Sequence, residues 1–424
     1  MIAPADPKPQ RWLAGWQPLL IAGAVFVVVM CVIVAKRAEG TTDFRDYWQT
    51  AVHFQKTGQI TEEHGVHNYL PFFAIFMTPW SFLPLRVAIV LFTLMSLGLL
   101  GLTITMVEML LNNKLGAKPR RALLITLGLI LAYVVSSSVL ATVNILVLFL
   151  IIATWFLVER GHEWQAGVPL GLAVLIKVLP AALIVFFLLN RRWRVAGVSL
   201  ATIVILGFGL PLLSIGPEQT IARHRQFRQT AMRDHSAYST IHAEKPLKAK
   251  YNNNSLPIVL RHLLTRIDAN AGEVEDAIYV NFAELPPRAI WWLYMAVMLV
   301  LVGATLFVTL RGPPKWPPDS IDDGRVVRAQ FGLWTCLMLI ASPLLWTHYI
   351  VWAYWPLAVV TDHGERYLSR TRRIHVWSAS ALLVWLAGAI LLAWPAARAT
   401  GAQMAALIVL WGILLRLSMR AEQT

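Results

Sequence analysis

The sequence predicts an all-α protein that threads repeatedly through a lipid bilayer, and three observations carry that prediction. Of its 424 residues, 57% are hydrophobic and only 14% charged, with a mean hydropathy of +0.59. A soluble chain of this length needs more charge to cover its surface. Apolar runs of roughly 17–25 residues recur throughout, the length at which a helix crosses about 30 Å of hydrocarbon. Short clusters of Lys and Arg punctuate these runs at alternate ends.

The runs predict about twelve spans, near residues 15–36, 85–111, 122–135, 139–158, 167–179, 180–190, 196–214, 289–310, 326–343, 347–361, 375–395 and 401–418. The first is too long for a signal peptide and lacks a small-residue cleavage site, so it reads as a retained span. Three of them (122–135, 167–179 and 180–190) are short for a complete crossing and read as thin, kinked or dipping helices. Cys31 and Cys336 lie inside apolar runs and imply no disulfide framework.

Orientation follows from the basic loops. Lys114, Lys118, Arg120 and Arg121 form one, and Arg191, Arg192 and Arg194 a second. Arg311, Lys315, Arg325 and Arg328 make the third, and Arg366, Arg370, Arg372 and Arg373 the fourth. Twelve spans place all four on one side with both termini, which the positive-inside rule makes cytoplasmic. The whole of 1–424 reads as one integral membrane domain whose opposite, exoplasmic side holds two large segments, 37–84 and 215–288.

Segment 37–84 opens on Asp43-Phe44-Arg45-Asp46-Tyr47-Trp48. Tyr47, Trp48, Ala51, Val52 and Phe54 keep to one face of an expected interfacial helix, which Thr57-Gly58 ends. From Tyr69 to Pro84 the chain is apolar but interrupted by prolines, as in a helix docked on the outer leaflet. Segment 215–288 is long, polar and basic; loops of this length do not govern orientation. No internal repeat or separable soluble domain is evident.

Carboxylates at a bilayer edge are costly unless water, a cation or a reaction needs them. An exoplasmic Asp facing basic groups suits group transfer from a lipid phosphate, because cations neutralise the departing phosphate and one carboxylate activates an acceptor hydroxyl. Equally, Asp43 is a sensible N-cap for the helix that follows. Residue type leaves both readings open.

The chain resembles the GT-C glycosyltransferases, specifically glycosyltransferase family 87, through short matches in a shared order. Asp43-Phe44-Arg45-Asp46-Tyr47-Trp48 resembles that family's Asp-Phe-x-x-Tyr-Tyr, and Tyr69 to Pro84 its Tyr-x-Tyr-Pro-Pro segment. Asn144 falls where Gly-Gln-x-Asn is common. Lys177-Val178-Leu179-Pro180, with Asn190-Arg191-Arg192-Trp193-Arg194, matches Lys-x-x-Pro and a basic-Trp pattern. Asn253-Asn254-Ser255-Leu256 with Arg261 resembles Asn-Gln-Ser-Leu with a following Arg. Ser342-Pro343 to Trp346-Thr347-His348-Tyr349 resembles Ser-Pro-x-x-Trp-x-His-His. Thr142, Leu70-Pro71-Phe72 and Tyr349 depart from the pattern, at positions that bear on donor identity.

The resemblance implies a membrane glycosyltransferase with Asp43 as general base. It would transfer a hexose, above all mannose, from a polyprenyl-phosphate-sugar donor to an exoplasmic glycolipid or glycan, with inversion. His348, Lys177, Arg225, Lys248, Asn253, Ser255, Arg261, Tyr69, Asn144 and Asp46 are the expected donor-phosphate and substrate contacts. His224, His235 and His242 are further loop candidates. Asp46 is either a like charge that raises the pKa of Asp43 or a solvated partner of Arg45. His348 is a donor to substrate or a histidine of the aromatic belt, and Lys177 reaches the phosphate or snorkels. Asn253 and Ser255 bind hydroxyls or start the helix after them. No cofactor, metal or nucleic-acid partner is expected; the location is a bacterial cytoplasmic membrane with the site on its periplasmic face. A lipid or glycan flippase, a membrane scaffold, and an enzyme using another lipid-linked sugar such as arabinofuranose are the competing readings. Broken helices at 167–190 favour the flippase, whereas the gathering of polar groups at one face opposes it.

Overall fold

The computed structural model describes residues 9–60, 69–112, 119–244, 250–270, 276–311 and 321–419. Among these the chain is helical, with one isolated antiparallel bridge between Asn253 and Trp346. Its helices are α1 (Pro9–Arg37), α2 (Asp43–Thr57), α3 (Pro71–Met77), α4 (Leu85–Asn112), α5 (Arg121–Val139), α6 (Asn144–Glu159), α7 (Glu163–Ile176), α8 (Ala181–Leu189) and α9 (Trp193–Val204). There follow α10 (Leu210–Phe227), α11 (Ala237–His242), α12 (Leu256–Leu264), α13 (Pro287–Leu310), α14 (Ile321–Ile340), α15 (Tyr354–Thr371), α16 (Val376–Ile390), α17 (Pro395–Ala399) and α18 (Ala402–Met419).

Among the described residues, seven helical stretches are long and apolar enough to cross a bilayer: Gly15–Arg37, Leu85–Asn112, Arg121–Val139, Trp193–Thr230, Pro287–Leu310, Val376–Ala393 and Ala402–Met419. This is a polytopic membrane protein. The other five expected spans fall on α6, α7, α8, α14 and the run from Thr347 into α15, which are helical but shorter or more polar. Two boundaries differ from expectation. α5 continues to Val139, full length for a span, and the next helix starts only at Asn144. Between them a tight corner holds Ala141 at φ 49, a left-handed backbone that costs a residue with a Cβ about 1 kcal/mol or more.

α6 can be short because protein surrounds it. Trp155 stacks on Phe331 of α14 with ring centroids 4.4 Å apart, and Phe186, Phe187 and Trp355 complete the cluster. Backbone that is broken or short of a full crossing is tolerated where other helices, not lipid, enclose it. α7 lies against α9 through Gly167 and Gly171. A Cβ on Gly171 would sit 2.6 Å from Thr202 Cβ and 2.9 Å from the Ser199 carbonyl oxygen. Small residues four apart let two backbones approach this closely.

Arginine–carboxylate contacts close the end of the bundle that carries the basic loops. Arg120 reaches Glu108 at 3.0 Å and Asp362 at 2.5 Å, tying α4, α5 and α15 together. Arg328 holds Glu159 at 2.6 Å, and Arg192 pairs with Glu163. From that basic end α7 rises about 21 Å over its 14 residues. It then breaks at Lys177-Val178-Leu179-Pro180 before α8 returns. The apex of this hairpin therefore stops short of a full crossing of about 30 Å, and Lys177 sits at it.

At the opposite end lie α2, α3 and the 3-10 turn Thr78–Phe82. The buried face of α2 is Phe44, Tyr47, Thr50 and Ala51, so the apolar stripe begins one turn earlier than expected and leaves Val52 and Phe54 only half-buried. Phe44 packs on Phe92 at 4.8 Å, and the Trp48 indole donates to the Leu83 carbonyl at 3.0 Å. Gly58, at φ 68, ends the helix. Within 215–288, helix persists through Phe227 beyond a kink at Gly216 (φ 78). It ends in a π-turn over Arg228–Asp234, followed by α11 and α12.

Candidate active site

The N-cap of α2 is Thr42, not Asp43. Thr42 is extended (φ −126, ψ 145) and its hydroxyl accepts the Arg45 backbone N–H at 3.3 Å. Asp43 is the first residue inside the helix. Its backbone N–H donates to the Leu140 carbonyl at 3.1 Å, which fastens the start of α2 to the α5–α6 corner. Asn144, expected as a substrate contact, builds that corner instead. It is fully buried, its amide donates to the Thr142 hydroxyl at 2.8 Å, and its carbonyl accepts the Trp352 indole at 2.9 Å.

Asp43 opens onto a cavity of about 730 Å³. Asp46, Tyr69, Lys177 and His348 line it too, so five of the expected site residues meet there from four separate stretches of chain. Tyr47 and Tyr349 join them. The Tyr47 hydroxyl stands 3.4 Å from Asp43 Oδ2 and 2.7 Å from the Tyr69 hydroxyl. Lys177 Nζ donates to the hydroxyls of Tyr69 at 2.8 Å and Tyr349 at 2.7 Å. It also lies 4.5 Å from each ring centroid. An ammonium at the apex of a short hairpin is thus held by two phenols and two π faces, in place of snorkelling to the surface. Burial pushes the Tyr69 phenol up to about 12 despite the pull of Lys177, so it stays protonated at neutral pH.

His348 lies in a 3-10 turn, Thr347–Ala353, outside the seven long spans. Its Nε2 is 4.0 Å from Asp43 Oδ2. Burial first, and the charge of Lys177 second, pull its pKa from 6.5 down to about 3. The imidazole is consequently neutral: it offers one N–H and one lone pair and forms no ion pair with Asp43. Arg45 donates to the Glu39 carbonyl at 2.6 Å, while Asp46 is exposed on the cavity side. Among the described residues no third His, Cys, Asp or Glu joins Asp43 and Asp46 to make a metal cluster.

Four expected contacts, Asn144, Asn253, Ser255 and Arg261, lie off the cavity lining. Asn253 Oδ1 accepts the backbone N–H groups of Ser255 at 3.2 Å and Leu345 at 3.1 Å. With the Asn254 N–H to Leu345 carbonyl bond of 2.7 Å, this fixes the segment that delivers Trp346 and His348. Ser255 is fully buried at the head of α12, and Asn144 has been described. Arg261, also buried, donates to the Ile241 carbonyl at 2.6 Å, so it pins α12 to α11. Arg225 is exposed on α10 and off the cavity lining. Lys248 lies outside the described residues. Of its described residues, the large basic segment lends the cavity Phe227, Ser236, Ala237 and Asn252, and none of its described cations. His224 stacks on Phe208 and His242 on Tyr238, away from the lining, and His235 is buried.

Tyr47 was absent from the expected contacts, and Tyr349 was expected only as a departure bearing on donor identity. A signal existed for both: Tyr47 occupies a motif position after Asp43, and Tyr349 replaces a motif histidine beside His348. Neither signal reveals that the two phenols lie on either side of one lysine–tyrosine pair. Chemically, the arrangement places a carboxylate next to a neutral imidazole, with a fixed cation across the same cavity. That set can deprotonate a hydroxyl at one side and stabilise an anion at the other.

Known proteins are similar to this chain over much of its length. The chain is 24% identical over 344 residues to the polyprenol-phosphate-mannose-dependent alpha-(1-2)-phosphatidylinositol mannoside mannosyltransferase of Mycobacterium tuberculosis. That match covers 77% of this chain and 67% of the relative. It is also 24% identical over 202 residues to an alpha-(1->3)-arabinofuranosyltransferase of the same species, covering 46% of each. No solved structure matches it. The model of glycosyltransferase family 87 matches residues 67–319, which include Tyr69 and Lys177 but neither Asp43 nor His348. With that match over more than half its length, the chain belongs to glycosyltransferase family 87.

Proposed function

We infer that this glycosyltransferase moves a hexose, mannose before others, from a polyprenyl monophosphate to an acceptor hydroxyl on the exoplasmic side. The observation that carries the inference is the convergence of Asp43, His348 and the Tyr69–Lys177–Tyr349 cluster on one cavity. The acceptor oxygen attacks the anomeric carbon as the bond from that carbon to the phosphate oxygen breaks. Asp43 takes the hydroxyl proton, and the prenyl phosphate leaves with one more negative charge than it brought. Lys177 faces that charge, with the Tyr69 and Tyr349 phenols holding it in place. His348, being neutral, donates its N–H to a sugar hydroxyl or accepts from one. A single displacement inverts the anomeric centre.

The basic loops then face the cytoplasm of a bacterial cell and the cavity faces the periplasm. The mannosyltransferase relative supports the prenyl-phosphate donor, and the arabinofuranosyltransferase relative keeps arabinofuranose as the second donor to test. The deciding experiment incubates purified protein with a panel of lipid-phosphate sugars and membrane extract, then identifies glycolipids by mass spectrometry. A new glycolipid carrying mannose is expected. Movement of lipid across vesicles with no covalent product would instead favour a flippase.

A further inference from the structure

The acceptor proton that Asp43 takes up must leave it again before the next turnover. Three hydrogen bonds lead from Asp43 to Lys177. The Tyr47 hydroxyl donates to Asp43 Oδ2 at 3.4 Å, so its oxygen is the acceptor in the 2.7 Å contact with the Tyr69 hydroxyl. The Tyr69 oxygen in turn accepts a Lys177 N–H at 2.8 Å. The 3.4 Å step is the longest, and catalytic hydrogen bonds often tighten only when substrate is bound. His348, at 4.0 Å, is beyond hydrogen-bonding distance of the same carboxylate.

Packing holds this line of hydroxyls in place. Both phenol rings rest on Phe73, which is fully buried: Tyr47 edge-on at 4.9 Å and Tyr69 stacked at 4.2 Å. Burial raises the Tyr47 phenol well above its ordinary pKa and that of Tyr69 to about 12, so neither gives up a proton without receiving one. Of the three Lys177 N–H groups, two go to Tyr69 and Tyr349, which leaves one for the cavity that Lys177 lines. Base and cation thus stand at opposite ends of one hydrogen-bonded line, each beside the cavity.

Given the glycosyl-transfer reading, on which this rests, we propose that Asp43, Tyr47, Tyr69 and Lys177 form a proton relay that resets the base by protonating the departing prenyl phosphate. As the bond between the anomeric carbon and the phosphate oxygen breaks, Asp43 gains the acceptor proton and the phosphate becomes a dianion. Lys177 passes its remaining N–H proton to a phosphate oxygen and is left with a lone pair. Tyr69 gives its proton to Lys177, Tyr47 gives its own to Tyr69, and Asp43 gives the acceptor proton to Tyr47. Asp43 is again a carboxylate, Lys177 again an ammonium, both phenols are whole, and the prenyl phosphate is a monoanion. The site therefore carries the same net charge before and after transfer, where burial makes an uncompensated charge costly.

The test is a single turnover with full-length protein in excess over a prenyl-phosphate sugar, together with the lipid fraction glycosylated in the membrane-extract assay. Rapid quench times cleavage, a fluorescent prenyl chain times departure of the product, and a pH indicator in weak buffer times the proton. A free phosphate monoester has its second pKa at about 6, so at about pH 8 the product sheds the relayed proton only after leaving the site. In wild-type protein the proton should appear in solution with product departure, lagging behind cleavage. Tyr47→Phe cuts the line while keeping its ring packed, so Asp43 must discharge to water and the proton should appear with cleavage. Tyr69→Phe breaks the next link and should give the same shift, so either variant decides if the other does not fold. A proton released in step with cleavage by wild-type protein overturns the relay alone, as does a lag that both variants keep. Absence of any glycosylated product from wild-type protein sinks the transfer reading and the relay with it.

Discussion

Replacing Lys177 with methionine removes the ammonium while keeping the length and most of the volume of the side chain. With a phosphate oxygen about 4 Å from Nζ and an effective dielectric near 20, one unit of charge is worth roughly 4 kcal/mol. The leaving prenyl phosphate gains one negative charge as its bond to the sugar breaks. If about half of it has developed at the transition state, Lys177 favours that state over bound donor by roughly 2 kcal/mol, or about 30-fold in kcat. Ground-state binding of the donor should weaken by roughly another factor of ten, the residue of a charge-assisted contact after desolvation. Lys177→Met should therefore lower kcat/KM roughly 300-fold, split between both parameters. Stability should change little, because the lost bonds to Tyr69 and Tyr349 are offset by no longer burying a charge. Steady-state kinetics with a prenyl-phosphate sugar, beside a thermal melt, reads both quantities. A fall in kcat/KM of less than about threefold with an unchanged melt would refute the electrostatic role given to Lys177.

Tyr47→Phe keeps the ring against Phe73 and Tyr69 and deletes only the oxygen between Asp43 and Tyr69. We expect kcat to fall roughly fivefold, the worth of about 1 kcal/mol for one hydrogen bond, with donor KM nearly unchanged. For His348 the pKa falls from 6.5 in the open chain to about 3 in the folded one. The unfolded state thus binds the extra proton first, so this contribution to stability is complete above about pH 6.5 and lost as pH drops toward about 3. His348→Gln should flatten the difference between melting temperatures at pH 5 and pH 8; an undiminished difference would assign it elsewhere. Gly171→Leu drives a side chain into Ser199 and Thr202 and should cost about 1–3 kcal/mol. Because α7 also sets the position of Lys177, activity should fall further than the melting temperature alone accounts for.

Asp43 and Lys177 stood out in the sequence as charges in an apolar context, whereas Tyr69 and His348 were marked by the resemblance; all four line one cavity. A lysine in a hydrophobic run must meet water, a partner or a ligand, and here it meets two phenols. Asn144, Asn253, Ser255 and Arg261 were conspicuous in the sequence, but their burial off the cavity lining was not legible. An amide or guanidinium bonds a backbone carbonyl as readily as a sugar, and spacing does not distinguish the two. The cap reading of Asp43 failed by one residue: Thr42 and Asp43 are both good caps, and only the backbone conformation selects between them. Span boundaries misled at the α5–α6 corner, where Ser136-Ser137-Ser138 reads as a break in hydropathy yet stays helical to Val139. Ala141 turns the chain there in a left-handed conformation that its side chain does not advertise.

Single-turnover transfer by Asp43→Asn probes the heart of the account. The amide is nearly isosteric with the carboxylate, Thr42 still caps α2, and the Asp43 backbone bond to Leu140 is retained. Loss of transfer by roughly a thousandfold or more, with donor binding and melting temperature close to wild type, is the expected outcome. Transfer at a near-normal rate, or a protein that loses its fold, would show that Asp43 does not serve as the base.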